Sequence, residues 1–137
     1  MSEVPPAGET HIGDETDIVL SRRIVRDAAT QFGFSPTDVT RIVTAASELA
    51  RNVFKYAGEG VMRWRYLETN GRVGIELQFV DRGPGIADVK QAMEQGYSTG
   101  GGLGAGLPGA KRLVDDLEIQ SEVGCGTTVT LKKWRKT

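Results

Sequence analysis

Glycine crowds one stretch of this chain, standing at positions 96, 100, 101, 102, 104, 106 and 109. A glycine inside a regular element costs about 0.5–1 kcal/mol relative to alanine, so a concentration like this one needs explaining. The run then feeds a segment in which Leu107, Ala110, Leu113, Val114 and Leu117 recur at helical spacing. A plain linker would carry serine or charge and would not lead into a patterned helix. Clustered backbone N–H groups ahead of a helix N-terminus instead suit the phosphates of a nucleotide.

Two familiar phosphate motifs nearly fit this run, and both fail. Gly104 to Gly109 has P-loop spacing, but Ala110 stands where lysine is required and Arg112, not serine or threonine, follows Lys111. Gly104, Gly106 and Gly109 also match G-x-G-x-x-G, yet no strand precedes them and the βαβ setting is missing.

The flanking segments read clearly. Pro5, Pro6 and Gly8 mark residues 1–9 as a flexible tail, and residues 10–137 read as one domain. A short strand over Thr10–Ile12 precedes a helix over Asp17–Phe32, which Gly33 stops. Ser35 caps the next helix and Pro36 takes its first position. Val39, Ile42, Val43, Ala46, Leu49, Ala50, Val53, Phe54 and Ala57 then form a long apolar stripe that ends at Gly58 and Gly60. Two strands, Val61–Glu68 and Arg72–Val80, meet at Asn70-Gly71, a strong hairpin signal. A short helix near Asp88–Glu94 precedes the glycine run, and a helix over Pro108–Val114 follows it. Strands over Leu117–Glu122 and Thr127–Lys133 close the chain around Gly124-Cys125-Gly126. The predicted fold is an α+β two-layer sandwich: a mostly antiparallel mixed sheet with helices on one face.

Three further groups carry chemistry. On the long helix Asn52 lies about 40° around from Glu48, at ~100° per residue, and Lys55 falls on the same polar stripe. A carboxylate and a carboxamide one turn apart can hold Mg²⁺ and leave an oxygen free as a base, although a solvated helix face has the same composition. Asp81-Arg82-Gly83-Pro84-Gly85 follows a strand directly. An aspartate at a strand end can accept from an exocyclic amine, as an adenine site requires, and an ordinary Asp turn reads the same way. Thr127, after the last turn, can reach a base directly or through water. Cys125 beside it is expected to be a small buried hydrophobe.

Charge and composition exclude several functions. Net charge is −1, so no basic face invites nucleic acid or an anionic membrane. The basic residues Lys132, Lys133, Arg135 and Lys136 read as a solvated end. No stretch approaches the ~20 apolar residues of a membrane span, and the start lacks a signal-peptide pattern. A single cysteine permits no internal disulfide, which suits a cytoplasmic protein. The one histidine, His11, has no helical hairpin around it to serve as a phosphoacceptor, so an acceptor must come in trans.

Taken in order, these elements resemble the GHKL ATP-binding superfamily. Glu48-Leu-Ala-Arg-Asn52 looks like its N-box, Asp81–Gly85 like its first glycine box, Gly100–Gly109 like the second with its ATP lid, and Gly126-Thr-Thr128 like the last. A topoisomerase or mismatch-repair member would need further domains. Ser47–Asn52, Tyr97–Gly109 and Lys111-Arg-Leu113 narrow the likeness to the anti-sigma-factor serine/threonine kinases, and among them to the RsbT-type switch kinases of stressosomes. The resemblance implies ATP and Mg²⁺ as cofactors, with Asn52 on the metal and Glu48 as general base or orienter of the attacking hydroxyl. Asp81 would read the adenine amine, and Gly85 would give the base room. Lys55, Gly83, Ile86, Tyr97, Ser98, Gly102, Leu103, Gly104, Ala105, Gly106, Leu107 and Thr127 would complete the nucleotide site, with Lys111 and Arg112 in the first turn of the helix after the lid. It also implies a STAS-domain scaffold or antagonist protein as substrate and a separate output regulator, such as a phosphatase, activated on release. A homodimer has room in this picture. A nucleotide-dependent binding module with little kinase activity is the alternative.

Overall fold

The tight turn at Asn70-Gly71 sets the sheet. Asn70 takes φ 52° and Gly71 φ 78°, the left-handed pair that a two-residue hairpin needs. Around it β2 (Gly60–Thr69) and β3 (Arg72–Asp81) pair antiparallel from Thr69↔Arg72 to Gly60↔Asp81. The computed structural model describes residues 4–85 and 106–136. Within them stand β1 (Ala7–Ile12), α1 (Glu15–Gln31), α2 (Pro36–Ala57), β2, β3, α3 (Gly106–Leu113), β4 (Asp116–Glu122) and β5 (Gly126–Trp134).

Among the described residues the strand order is β1-β2-β3-β5-β4 and all four pairings are antiparallel, in keeping with the mostly antiparallel sheet expected. β3 and β4 consequently run the same way with β5 between them. The chain leaves the sheet at Asp81 and returns at Asp116, and this crossover carries both the glycine run and α3.

The three described helices lie on one face. Alternation along the strands turns Met62, Ile75, Leu77, Phe79, Val129 and Leu131 toward them, all buried. Arg63, Arg65, Glu76 and Lys132 face the open side. Helix α2 lies between α1 and α3 and touches the sheet as well, which explains why Ala45 and Ser47 are buried in addition to the predicted stripe. Each large apolar side chain buried in this layer is worth about 1.5–3 kcal/mol. The open-face pairs Arg65–Glu76 (3.1 Å) and Arg63–Glu9 (3.5 Å) are worth about 0–1 kcal/mol each, so the helix–sheet layer carries the stability.

Several boundaries differ from expectation. β1 begins at Ala7, and the segment before it is tied down from Val4, so the tail expected over residues 1–9 is largely an edge strand and its approach. Val4 N donates to Gln31 Oε1 (2.8 Å) while Gln31 Nε2 donates to Val4 O (2.7 Å). Trp64 Nε1 donates to Pro5 O (3.0 Å), and Tyr66 N to Pro6 O (2.7 Å). The prolines that looked like breakers need only accept here, as an edge position allows. Gly8 is required, since a Cβ there would stand 2.4 Å from the Trp64 ring. α1 starts earlier than its apolar spacing suggested, because Asp14 caps it by accepting from Asp17 N (2.8 Å).

The basic C-terminal run is not a uniform solvated end. Lys133 is 7% exposed, with Nζ 3.9 Å from Asp38 Oδ1 and 4.0 Å from Asp115 Oδ1. Arg135 donates to Phe32 O (3.2 Å). Strand alternation sends Lys133 to the helix face and leaves Lys132 on the open one.

Candidate functional site

β3 ends at Asp81, opposite Thr127 of β5 and Gly60 of β2. Asp81 Oδ1 accepts from Gly83 N (2.9 Å) and Thr127 N (3.3 Å), one bond closing an Asx turn and the other reaching the next strand. These two bonds hold the carboxylate still. Among the described residues nothing donates to its Oδ2.

Glycine makes this corner possible. Gly126 has φ 114°, and a Cβ there would stand 2.2 Å from Asp81 O; Gly85 has φ 79°, and a Cβ there would stand 2.4 Å from Glu122 O. Gly124 N donates to Pro84 O (3.0 Å). The Asp81–Gly85 turn and the β4–β5 turn thus interlock through backbone. In the structure, the bare Gly85 makes room for the backbone of Glu122 and Val123. Val80, Asp81, Arg82, Ser121, Cys125 and Thr127 are among the residues lining an open depression of about 410 Å³ here, within the size range of small-ligand sites.

The second group stands on α2. Glu48 and Asn52 are half-buried one turn apart, as their spacing required. Glu48 Oε1 pairs with Arg51 Nη1 at 2.9 Å, a partner the sequence reading missed although its i,i+3 spacing was visible. Lys55 is exposed, its ammonium 5.3 Å from the Tyr56 ring centroid. The helix end joins the two groups: a Cβ on Gly83 would stand 2.6 Å from Ala57 Cβ, so the bare glycine lets α2 abut the Asp81 turn.

A family model describing a histidine kinase-like ATPase domain matches residues 13–133. The chain belongs to that family. A histidine kinase-like ATPase domain uses ATP, and the corner and helix just described are this chain's candidates for holding it. The serine/threonine-protein kinase RsbT of Bacillus subtilis is 47% identical over 120 residues, covering 88% of this chain and 90% of its own. An anti-sigma F factor of Caldanaerobacter subterraneus subsp. tengcongensis is 30% identical over 121 residues, covering 84% and 83%. Among solved structures, the RsbU and RsbW domains of a Mycobacterium tuberculosis protein superpose with a TM-score of 0.63 at 20% identity. That likeness covers 95% of this chain and 34% of the other, and it shows the shared fold.

Within this histidine kinase-like domain the candidate residues divide. Asp81, Gly83, Gly85 and Thr127 come together at the sheet end, and Glu48, Asn52 and Lys55 share the adjoining helix. Gly106 opens α3 with φ 40°, and Leu107 is buried behind it. Ile86, Tyr97, Ser98, Gly102, Leu103, Gly104, Ala105 and the helix expected near Asp88–Glu94 lie outside the described residues. Lys111 and Arg112 were expected in the first turn of the helix after the lid; α3 starts at Gly106, which puts them in its last turn, both exposed. Cys125 is exposed rather than buried, because it sits at the tip of the turn between Gly124 and Gly126. Ser121, whose Oγ is 2.8 Å from Thr127 Oγ1, was not singled out; only the β4–β5 register brings it beside Thr127.

Proposed function

We propose that this chain is a partner-switch kinase that phosphorylates a serine or threonine on a STAS-domain scaffold or antagonist protein. Its release then lets it activate a separate output regulator in a stress or signalling response. The observation that carries this reading is the 47% identity to a serine/threonine-protein kinase over about nine-tenths of both chains. Its enzymatic class is accordingly that of an ATP-dependent serine/threonine-protein kinase.

In this reading the Asp81 carboxylate accepts from the adenine amine, with Thr127 beside it. Gly102, Leu103, Gly104, Ala105 and Gly106 would be the residues that meet the phosphates. Among the described residues no three His, Cys, Asp or Glu side chains gather into a metal cage. The donor set fits Mg²⁺ even so, because Mg²⁺ in phosphoryl-transfer sites takes one or two protein oxygens and the nucleotide's phosphates. Asn52 would supply one such oxygen, and the bound metal would neutralise phosphate charge. Glu48, oriented by Arg51, accepts the proton of the attacking hydroxyl. That hydroxyl's oxygen bonds to the γ-phosphorus as the bond to the ADP oxygen breaks. Such transfer asks mainly for positioning and charge stabilisation, which a domain of this size can supply.

We place the protein in the cytoplasm; no described helix is long and apolar enough to cross a membrane. The anti-sigma F factor relatives favour a second reading, a nucleotide-dependent binding module with little transfer. Incubation with γ-labelled ATP and a STAS-domain protein separates the two. Label on the partner, lowered about 10²–10⁴-fold by Glu48→Gln with partner binding retained, is the expected result. A nucleotide-dependent complex with no label transferred would make the chain a binding module.

A further inference from the structure

Helix α2 carries its charged groups on one ridge, where Glu48, Arg51 and Lys55 follow one another at helical spacing. The Arg51 side chain is 55% exposed and that of Glu48 21%, and Arg51 Nη1 donates to Glu48 Oε1 at 2.9 Å. That bond uses one of five guanidinium N–H groups. Among the described residues no other group accepts from Arg51. Lys55, one turn further on, is exposed and meets no carboxylate among the described residues. The ridge therefore holds two cations against one carboxylate.

A hydroxyl that gives its proton to Glu48 must come within about 2.6–3.2 Å of that carboxylate, which leaves it no more than roughly 8 Å from the guanidinium. The residues around that hydroxyl then lie over Arg51. Covering its free N–H groups without offering acceptors is costly, because a charged donor loses its water and gains nothing. A planar guanidinium with most of its fork unused is matched best by a carboxylate or a phosphate. The nucleotide's terminal phosphate is one such anion. Successive residues point about 100° apart around a helix, so Arg51 and Asn52 diverge, with Glu48 one turn back between them. Asn52 takes the side proposed for metal and phosphates, which leaves the arginine to the incoming protein.

We infer that Arg51 is a specificity-determining residue for the protein substrate: its free guanidinium edge pairs with a carboxylate that the partner carries beside the acceptor hydroxyl. The inference rests on the proposed reading of Glu48 as the base of a partner-phosphorylating kinase. It adds the substrate class, a serine or threonine with an aspartate or glutamate next to it in space. Arg51 also holds Glu48, so its loss lowers turnover whatever the partner. Recognition shows itself separately, as a dependence on the partner's charge.

The test uses the full chain, γ-labelled ATP and a STAS-domain protein that accepts label from it. Each aspartate and glutamate within about 8 Å of the acceptor is changed singly to its amide, the reach set by the base. These partners are assayed against wild type, Arg51→Lys, Arg51→Gln and Arg51→Glu. One amide substitution should raise the KM for the partner roughly ten- to hundredfold with wild type, the size of one charge-assisted hydrogen bond. The same substitution should matter far less with Arg51→Gln, and to an intermediate degree with Arg51→Lys, which keeps the charge without the fork. Lysine at that partner position should recover binding to Arg51→Glu. A purely structural Arg51 would leave the partner's carboxylates equally important in every variant, and that result overturns the inference. So does a wild type indifferent to all of them. Calorimetry with ATP alone separates the two anions: lost ATP affinity in Arg51→Gln, with no partner carboxylate mattering, assigns the arginine to the phosphate and overturns the inference. A chain that binds ATP but labels no STAS-domain protein overturns the functional reading and this inference with it.

Discussion

Asp81 concentrates several constraints in one side chain. Its Oδ1 is committed to Gly83 N and Thr127 N, so one carboxylate oxygen holds the corner's shape, and in the proposed function the other meets the base. Asp81→Asn separates these uses. An asparagine Oδ1 still accepts both N–H groups, while the amide nitrogen turns an acceptor into a donor. ATP affinity should fall at least about tenfold, with melting temperature nearly unchanged, as read by calorimetry and thermal unfolding. Unchanged affinity would remove Asp81 from the site. This residue was legible as a candidate because an aspartate closing an apolar strand before Gly-Pro-Gly is conspicuous. Ser121 was not, because its contact with Thr127, six positions away, is one that only strand pairing selects. Cys125 was misjudged because cysteine's general tendency to be buried says nothing about the tip of a turn.

At the scale of elements, the interlocked turns explain which glycines matter. Gly124 and Gly126 flank the same cysteine, and both have positive φ, 84° and 114°. Nothing lies within 4 Å of a Cβ on Gly124, whereas one on Gly126 would run into the Asp81 carbonyl. Gly124→Ala should cost about 1 kcal/mol, for the backbone conformation alone. Gly126→Ala must in addition push β3 from β5, and should cost about 3 kcal/mol or more. Urea unfolding of both variants checks the contrast, and equal costs would mean that the close approach to Asp81 is not what requires glycine. Helix α2 and the β2–β3 hairpin were readable end to end because Ser35, Pro36, Asn70 and Gly71 act through local geometry. The start of β1 was hidden by Pro5, Pro6 and Gly8, which are breakers locally and acceptable only because that strand lies at an edge.

At the scale of the whole molecule, the buried charges Asp38 and Lys133 stand far from the Asp81 corner. Lys133 is six residues along β5 from Thr127, about 20 Å, and Asp38 is 14 residues along α2 from Asn52, about 21 Å. Asp38 is 2% exposed and is shared by Lys133 at 3.9 Å and Arg41 at 3.2 Å. Removing its carboxylate leaves Lys133 buried with only Asp115 at 4.0 Å. Removing the lysine leaves Asp38 still paired with Arg41. Asp38→Ala should therefore cost about 3 kcal/mol, near 10 °C in melting temperature, and Lys133→Met about 1 kcal/mol. ATP affinity of the folded protein should be unchanged in both. A matching loss from the two variants, or a shift in ATP affinity, would show that the cluster is balanced differently or coupled to the site.

The sequence by itself determined the elements whose signals are local: helix caps, the hairpin turn, the apolar stripe of α2 and the turn after Asp81; of the glycine run, Gly106 and Gly109 proved to lie in α3. It also determined, through four boxes in order, the kind of ATP-using domain to expect. Only the tertiary structure decided which residues become neighbours across strands. Placing β5 between β3 and β4 sets Thr127 between Asp81 and Ser121, buries Lys133 against Asp38, and makes Gly126 indispensable where Gly124 is not. Side-chain period and turn chemistry are written along the chain, but the partner across a sheet is chosen by burial of the whole apolar face, which no single segment contains.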